Sequence, residues 1–510
     1  MERTTPTGRN RLAPPGVFLL LIALHAAPVP GQLLGEISFP NSGAAAAQED
    51  FIEGVLYLHN FEYEEAAGSF SRAQRIDPSF ALAYWGEAMT YNHPLWMQQD
   101  SEAGRRALGK LAPSPERRRH KAGTEREAAY LDAVEILYGT THSTSELPKE
   151  ERDGLYLDAM RRLHQTYPDD DEATAFYSLA ILGSAHDGRD FATYMRAAAV
   201  ADTVWDHNKQ HPGAAHYLIH SYDDPIHAPL GLPMASAYAK IAPAAAHAQH
   251  MTSHIFVALG LWQDAVDANT VASRVQNEGF AGRGQPPRLC GHYPFWLQYA
   301  LLQQGRHAEA REVLEACRAS DTEPDDSRVR WHRSTMDAGF VIDARAWDEP
   351  LTVTATSPEE GLHNAIFVGG LAAHHRGDGE ALRRAVEELG SISSAGGHGG
   401  VSFGQVAAIL ALELEGLSLL SGNPGGAVAR LEEAVEAEAE LPYMFGPPRI
   451  VKPSLELLGE VLLGLGHHQE AAAVFHQQLE RTPRRAASLL GLARSARAGN
   501  TSGEKDDLGE

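Results

Sequence analysis

The sequence predicts an all-α protein that folds as a solenoid of helical hairpins, and three observations support this prediction. The chain has 510 residues, more than one compact core accommodates, so several domains or a repeat array are expected. A pattern of small, aromatic and proline residues recurs at matching spacings near both ends, and a histidine pattern in the middle repeats after 34 residues. A repeat of this length predicts stacked helix pairs, about ten or eleven of them between residues 46 and 483.

The pattern at the two ends has a simple packing explanation. Small residues let the two helices of a hairpin approach closely, and an aromatic ring fills the space beside them. Proline ends the second helix because it lacks an N–H group and restricts the residue before it. Each hairpin leaves an apolar face that the next hairpin must cover. The first copy contains Gly54, Tyr57, Ala66, Phe70, Ala73 and Pro78, and the last contains Gly459, Leu462, Ala471, Phe475 and Pro483.

These offsets resemble the downstream half of the tetratricopeptide repeat (TPR) signature, and the resemblance covers most of the chain. It implies a right-handed superhelix whose concave groove holds a peptide or a small ligand. We expect an N-terminal array over residues 46–275 and a C-terminal array over residues 290–498 that ends in a capping helix. Residues 98–123 are expected to be irregular, and the polar tail at residues 499–510 is expected to be disordered.

Composition limits the classes of partner. The formal net charge is −24, with 67 acidic and 43 basic residues, and such a surface repels phosphate backbones. Nucleic acid is therefore not an expected partner. Protein, peptide or small-molecule partners remain.

The N-terminus has the pattern of a secretory signal peptide. Arg3, Arg9 and Arg11 precede an apolar run over residues 17–27, and small residues follow it. We expect residues 1–31 to be removed and the protein to be exported, either periplasmic or secreted; an uncleaved anchor is the alternative. No other stretch is apolar for long enough to span a bilayer, so no integral membrane segment is expected after removal.

Cys290 and Cys317 are the two cysteines of the chain. Two cysteines at this spacing form neither a disulfide framework nor a Cys-x-x-Cys motif. In an exported protein they could pair, and two separate buried thiols are the other possibility.

The most informative segment contains two histidine pairs, His216/His220 and His250/His254. Histidines four residues apart lie on one helix face, where two imidazoles can bind one metal ion. The second pair follows the first by 34 residues, so the pairs occupy equivalent positions in neighbouring hairpins. Neighbouring helices lie about 8–10 Å apart, which predicts that four imidazoles converge on one site.

The resemblance to TPR proteins implies that these positions line the concave groove. Five other residues are possible groove residues on the same grounds: His93, Trp96, His227, His247 and Trp296.

Three interpretations of the histidines remain open. Neutral imidazole is a good ligand for zinc or copper, and Asp223 or Asp224 could complete the coordination shell or orient a ring. Alternatively, the histidines are hydrogen-bonded core residues, or they contact a ligand directly without metal. Duplication of a repeat can also copy such a motif without copying a function.

A catalytic role has less support in the sequence. Neither pair has the inner glutamate of a His-Glu-x-x-His motif, so a general base would have to come from elsewhere, such as Asp223, Asp224 or Glu87. Four histidine ligands would also close a zinc site to substrate. The first hypothesis is therefore a ligand-binding scaffold with a bound metal. The alternatives are a metal-dependent hydrolase or oxidoreductase and a metal-free interaction module.

Overall fold

The computed structural model describes residues 1–2, 33–320, 326–349, 355–392, 396–398 and 401–506. Apart from its first two residues, the predicted signal peptide over residues 1–31 lies outside these ranges.

The described residues form 23 α-helices. In chain order they are α1 Gln48–His59, α2 Tyr63–Ile76, α3 Ala81–Met89, α4 Ser101–Leu111, α5 Pro115–Arg119, α6 Glu125–Leu137, α7 Lys149–Thr166, α8 Asp171–Leu182, α9 Phe191–His207, α10 Pro212–Tyr222, α11 Ala228–Ile241, α12 Ala246–Ala258, α13 Trp262–Gly282, α14 His292–Gln303, α15 His307–Ala319, α16 Ser327–Asp343, α17 Leu362–Arg376, α18 Gly379–Gly390, α19 Phe403–Leu419, α20 Pro424–Ala439, α21 Ser454–Gly464, α22 His468–Arg481 and α23 Ala486–Asp506. Two antiparallel ladders pair β1 Asn92–His93 with β2 Gln98–Gln99 and β3 Gly397–His398 with β4 Val401–Ser402. None of the helices described is long and apolar enough to cross a membrane.

Consecutive helices pack as antiparallel hairpins, and this confirms the predicted all-α, TPR-like solenoid. Ten hairpins can be distinguished among the described residues: α1/α2, α3/α4, α6/α7, α8/α9, α10/α11, α12/α13, α14/α15, α17/α18, α19/α20 and α21/α22. Helix α23 packs on the last hairpin as a cap.

Phe70 shows why the repeat needs its glycines. The buried ring lies against Gly54 on α1 and against Gly86 on α3, the first helix of the next hairpin. A Cβ atom at these two glycines would lie 2.8 and 2.3 Å from the ring, closer than real contacts allow. Phe475 makes the equivalent contacts with Gly459 and Gly491 at the other end of the chain. One aromatic ring therefore joins each of these hairpins to its successor.

One local expectation was wrong. Residues 98–123 contain α4 and α5, because Asp100 caps the first of these helices by accepting the Ala103 N–H, and Ser114 caps the second. Helix α23 ends at Asp506 and residues 507–510 lie outside the described ranges, so the disorder expected for residues 499–510 stays a prediction.

The N-terminal hairpins curve until α1 contacts α10. The segment just before α1 closes this contact: the Ala244 N–H donates to the Leu33 carbonyl at 3.1 Å, and the Asn60 side chain donates to the Leu34 carbonyl at 3.1 Å. One continuous apolar core extends from Leu34 to Ala258. The side chains of these hairpins therefore pack into one buried interior, to which the first helices α1 and α10 both contribute.

The C-terminal hairpins return to the middle of the chain. The Trp262 indole donates to the Arg484 carbonyl at 3.0 Å, and the Ala486 N–H donates to the Gln303 side chain at 3.0 Å. Buried Arg485 binds Glu456 at 2.9 Å and Asp343 at 3.0 Å. Helices α12, α13 and α14 therefore lie between the two curved halves.

Replacing Gly86 by alanine tests the aromatic joint. The added methyl group overlaps the Phe70 ring, so we expect Gly86→Ala to lower the free energy of unfolding by about 1–3 kcal/mol in urea titrations followed by circular dichroism. Gly109→Ala on α4 is the control, because nothing lies within 4 Å of its Cβ position. The control should be neutral or should stabilise by up to about 1 kcal/mol, and equal losses in both variants would contradict the joint.

Candidate functional site

Helices α10 and α12 carry the predicted histidines, and neighbouring residues hold the start of each helix. His211 caps α10, since its Nδ1 accepts the Ala214 N–H at 3.1 Å. The start of α12 is held by Glu62 from the turn between α1 and α2, whose carboxylate accepts the His247 N–H at 2.9 Å. Both helices are almost entirely buried, so the register of their side chains is set by packing on all sides.

The four predicted histidines are buried, but they form parts of two groups rather than one site. In the first group, the Nε2 atom of His216 lies 3.1 Å from that of His220 and 3.2 Å from that of His247. In the second, the Nε2 atoms of His250 and His254 are 3.2 Å apart.

His292 completes the second group from the start of α14. Its ring centroid lies 4.5 Å from that of His250, and its ligand atom lies within 4.8 Å of those of the other two histidines. The two groups are neighbours: the His220 and His254 ring centroids are 5.7 Å apart. Each predicted pair thus lies beside a third imidazole, His247 beside His216 and His292 beside His250.

Hydrogen bonds determine the tautomers of His250 and His254. Asn269 donates its amide N–H to the Ala265 carbonyl, so its Oδ1 accepts from the Nδ1–H of His250 at 2.7 Å. The Nδ1–H of His254 donates to the Asp223 carboxylate at 2.5 Å. Both Nε2 atoms are then unprotonated in the neutral rings, and their lone pairs face each other. A proton or a cation between them would turn this repulsion into binding.

His216 is oriented in the same way. Its Nδ1–H donates to the His59 carbonyl at 2.7 Å, so its Nε2 presents a lone pair to His220 and His247. That lone pair can accept one N–H from a neighbouring ring. A hydrogen bond can therefore explain only one of the two close contacts of the His216 Nε2 atom, with His220 or with His247. A cation shared by the three rings would explain both contacts.

The separations and charge states suit metal ligation. Nitrogen ligands at about 2.0–2.1 Å from a tetrahedral zinc ion lie about 3.3 Å from each other, close to the Nε2 separations here. Burial lowers the pKa of His216 to about 3, because it disfavours the charged ring. Burial, followed by the neighbouring histidines, also holds the pKa values of His220, His247 and His250 well below the usual range. Neutral imidazoles are the form that binds metal.

A third group, His59, Glu172 and His211, is explained by hydrogen bonds. The Nε2 atom of His59 lies 2.7 Å from the Glu172 carboxylate, and its Nδ1 lies 2.8 Å from the Tyr217 hydroxyl. Because the Nδ1 of His211 accepts a backbone N–H, its Nε2 carries the proton and faces Glu172 at 3.3 Å. Burial would raise the pKa of Glu172, but the two histidines lower it to about 2. This group anchors α8 to α1 and α10.

Aromatic rings surround both histidine groups. Trp296 is buried, with its centroid 4.4 Å from that of His254 and 4.9 Å from that of His250. Phe61 lies 4.3 Å from His216. Phe445, from the connection between α20 and α21, lies 5.1 Å from His254. Phe61 and Phe445 were missed in the sequence because neither lies near a histidine pair along the chain.

Only one of the two carboxylate oxygens of Asp223 has a hydrogen-bond partner among the described residues. Its Oδ2 holds His254, while its Oδ1 is buried with no hydrogen-bond partner among the described residues. Asp224 has a different role: it binds Arg189 at 2.9 Å and accepts the Ile226 and His227 N–H groups. Asp224 therefore shapes the turn after α10 and does not face the histidine groups.

The remaining predicted residues lie outside the two groups. Glu87 is buried against Gln74, at 2.7 Å, and forms an ion pair with Lys110, so its carboxylate is committed to packing. His227 binds Asp224 at 2.9 Å. His93 stacks on Tyr63 with a centroid distance of 4.1 Å. Trp96 is 44% exposed, and its centroid lies 6.1 Å from that of His247, at the edge of the first group.

Cys290 and Cys317 form a disulfide that joins the start of α14 to the end of α15. Cys290 is two residues before His292, the one exposed member of the second group. The covalent link therefore holds the segment from which His292 reaches His250. Of the two possibilities that the sequence left open, the structure has the paired one.

Comparisons with known proteins concern the type of fold. No protein-family model matches the sequence, and no curated protein matches it. Similar solved structures include yeast Tom70 (10% identity, 88% of this chain and 88% of that chain, TM-score 0.32) and the human IFIT1 dimer with m7Gppp-AAAA (12%, 92% and 94%, 0.35). Another is the APC/C hetero-tetramer Cut9–Hcn1 (13%, 90% and 78%, 0.32). Identities and TM-scores this low carry no information on function.

The tautomers can be tested by nitrogen-15 NMR of metal-free protein at neutral pH. We expect Nδ1–H tautomers at His216 and His250, because each Nδ1 faces a carbonyl oxygen. Asn269→Leu removes the acceptor and should shift His250 towards a mixture, whereas exposed His120 should give a mixture in both proteins. An Nε2–H tautomer at His250 in the parent would contradict the assignment.

Proposed function

We propose that this protein is an exported, TPR-like scaffold that binds two transition-metal ions, zinc or copper, in neighbouring three-histidine sites. The first site comprises His216, His220 and His247. The second comprises His250, His254 and His292. The observation that carries the proposal is the pair of Nε2 atoms of His250 and His254, 3.2 Å apart, with each ring held by a hydrogen bond at its opposite nitrogen.

The donor set supports the choice of metals. Imidazole nitrogen suits zinc and copper, whereas magnesium and calcium prefer oxygen ligands. Partners of ring nitrogens such as Asn269 and Asp223 are typical of protein metal sites, where they fix the tautomer and raise ligand basicity. The Cys290–Cys317 disulfide is the form expected in an oxidising compartment, which supports export.

Metal-dependent catalysis is the second candidate function, and the number of ligands favours it. Three protein ligands leave a coordination position for water or substrate, whereas the four-histidine site expected from the sequence would be closed. A metal in such a site supplies Lewis acidity or redox chemistry. The protein supplies orientation through Asn269 and Asp223 and a low-polarity surrounding through Trp296 and Phe445. Exposed His292 provides the side from which a ligand enters.

A metal-free interaction module is the alternative. It would require one ring of each group to carry a proton on Nε2 and to donate it to a neighbour. For His250 and His254 this means one added proton: an imidazolium at His254 would keep its hydrogen bond to Asp223 and donate from Nε2 to His250, which would keep its hydrogen bond to Asn269.

Metal stoichiometry tests the first proposal. Tag-free protein is incubated with zinc or copper, desalted and examined by elemental analysis. We expect about two ions per chain in the parent, about one in His216→Ala or His250→Ala, and none in the double variant, because each group loses a ligand that its other members cannot replace.

His207→Ala serves as the control, since His207 is exposed and lies outside both groups. It should keep the parent stoichiometry, and circular dichroism must show that every variant is folded. The proposal would be contradicted if the parent protein retained neither zinc nor copper, or if the single variants still retained two ions per chain.

The open coordination position has its own test. Cobalt(II) loaded into the sites gives a visible spectrum that depends on the number of ligands. We expect azide to change this spectrum in the parent, because a three-histidine shell admits an external ligand. Stoichiometric cobalt with a spectrum indifferent to azide would leave metal binding intact and exclude the catalytic candidate.

A further inference from the structure

Arg449 lies in the connection between α20 and α21, the segment that also brings Phe445 onto His254. Its guanidinium carbon is 5.7 Å from the ring centroid of Trp331 and 5.7 Å from that of Phe403. Trp331 belongs to α16 and Phe403 begins α19. The arginine side chain therefore lies between helices α16 and α19 of the C-terminal half.

Among the residues that the structure describes, the guanidinium has no anionic partner. Its Nε and Nη2 atoms are buried without a hydrogen-bond partner, and no carboxylate of the described residues lies within ion-pair distance. Buried Arg485 and Arg118 differ, since Arg485 binds Glu456 and Asp343, and Arg118 binds Glu135. Burial lowers the pKa of Arg449 to about 10, as expected for a cation that has lost water and gained no counter-charge.

Further unsatisfied groups lie beside Arg449. The indole Nε1–H of Trp331 is buried and has no acceptor. The Nδ1 atom of buried His363 also has no partner, and its ring lies 5.8 Å from that of Phe403. A buried polar group without a hydrogen-bond partner is costly. Arg449 and Trp331 have only N–H donors on their side chains, so an acceptor would satisfy both. The Arg449 side chain as a whole remains partly exposed, so solvent reaches this place.

We propose that Arg449 and Trp331 bind an oxyanion, a carboxylate or phosphate group of a small ligand, whose apolar part lies against Trp331 and Phe403. A planar guanidinium can donate two parallel hydrogen bonds to two oxygens of one anion. The indole N–H supplies a further donor. The aromatic faces then favour a flat or apolar body over a fully hydrated ion.

The site is connected to the second histidine group. The ring centroid of His332 lies 5.2 Å from that of Trp331 and 6.0 Å from that of His292. The His332 side chain therefore lies between the proposed anion site and the second histidine group. A ligand anchored at Arg449 would extend towards His292. Anion binding itself does not depend on the proposed metal and is tested without it.

The experiment is calorimetric titration of EDTA-treated, full-length protein with three probes: benzoate, neutral benzamide and inorganic phosphate. We expect benzoate or phosphate to bind and benzamide to bind at least about tenfold more weakly, because it offers no charge to the guanidinium. Arg449→Gln should lose anion binding. Trp331→Phe should weaken it severalfold, since it removes one donor and keeps the ring.

Arg384→Gln, on the exposed face of α18, is the matched control and should bind as the parent does. Arg449→Lys keeps the positive charge, so it is less prone to misfold than the glutamine variant. If the folded lysine variant binds the anions more weakly than the parent, the two parallel hydrogen bonds of the guanidinium are supported. Failure of both anions to bind the parent, or equal binding by folded Arg449→Gln, would overturn the inference. Because metal is absent throughout, this result is separable from the outcome of the metal analysis.

Discussion

The contact of α1 with α8 and α10 is the interaction on which the rest of the site depends. His59 binds the Glu172 carboxylate through one ring nitrogen and the Tyr217 hydroxyl through the other, while its own carbonyl accepts from His216. The same residue thus closes the N-terminal curve and selects the tautomer of a candidate metal ligand. Closure also excludes water, which makes each hydrogen bond in the interior stronger and each unpaired lone pair more costly.

The two curved halves contribute different side chains to the region around the histidine groups. The N-terminal half contributes His216 and His220 on α10, together with the His59 carbonyl and Asp223, which orient His216 and His254. The C-terminal half contributes covering rings and a cation, through the connection that carries Phe445 and Arg449. Gly446 in this connection has a φ of +81°, and a Cβ there would lie 2.2 Å from Trp296. The close approach of this backbone to the indole therefore requires glycine.

Metal ligation and anion binding would make one continuous site. His292 belongs to the second histidine group, His332 lies beside it, and Trp331 flanks Arg449. A ligand with an anionic end and a metal-binding end would satisfy both the unpaired donors and the open coordination position. Such an arrangement would give the proposed scaffold a small-molecule role distinct from the binding of an extended peptide along a groove.

The sequence by itself determined the all-α repeat architecture and the two histidine pairs, because both depend on local spacing: small and aromatic residues at hairpin offsets, and imidazoles one helical turn apart. It also determined their equivalence in successive hairpins. Only the tertiary structure decided how the pairs divide, since His247, His292 and Asn269 are brought to them by packing between helices. The return of each half onto α10 to α14 was invisible along the chain, because it arises from small rotations summed over many hairpins. The burial of the two histidine pairs and the position of Arg449 follow from that sum.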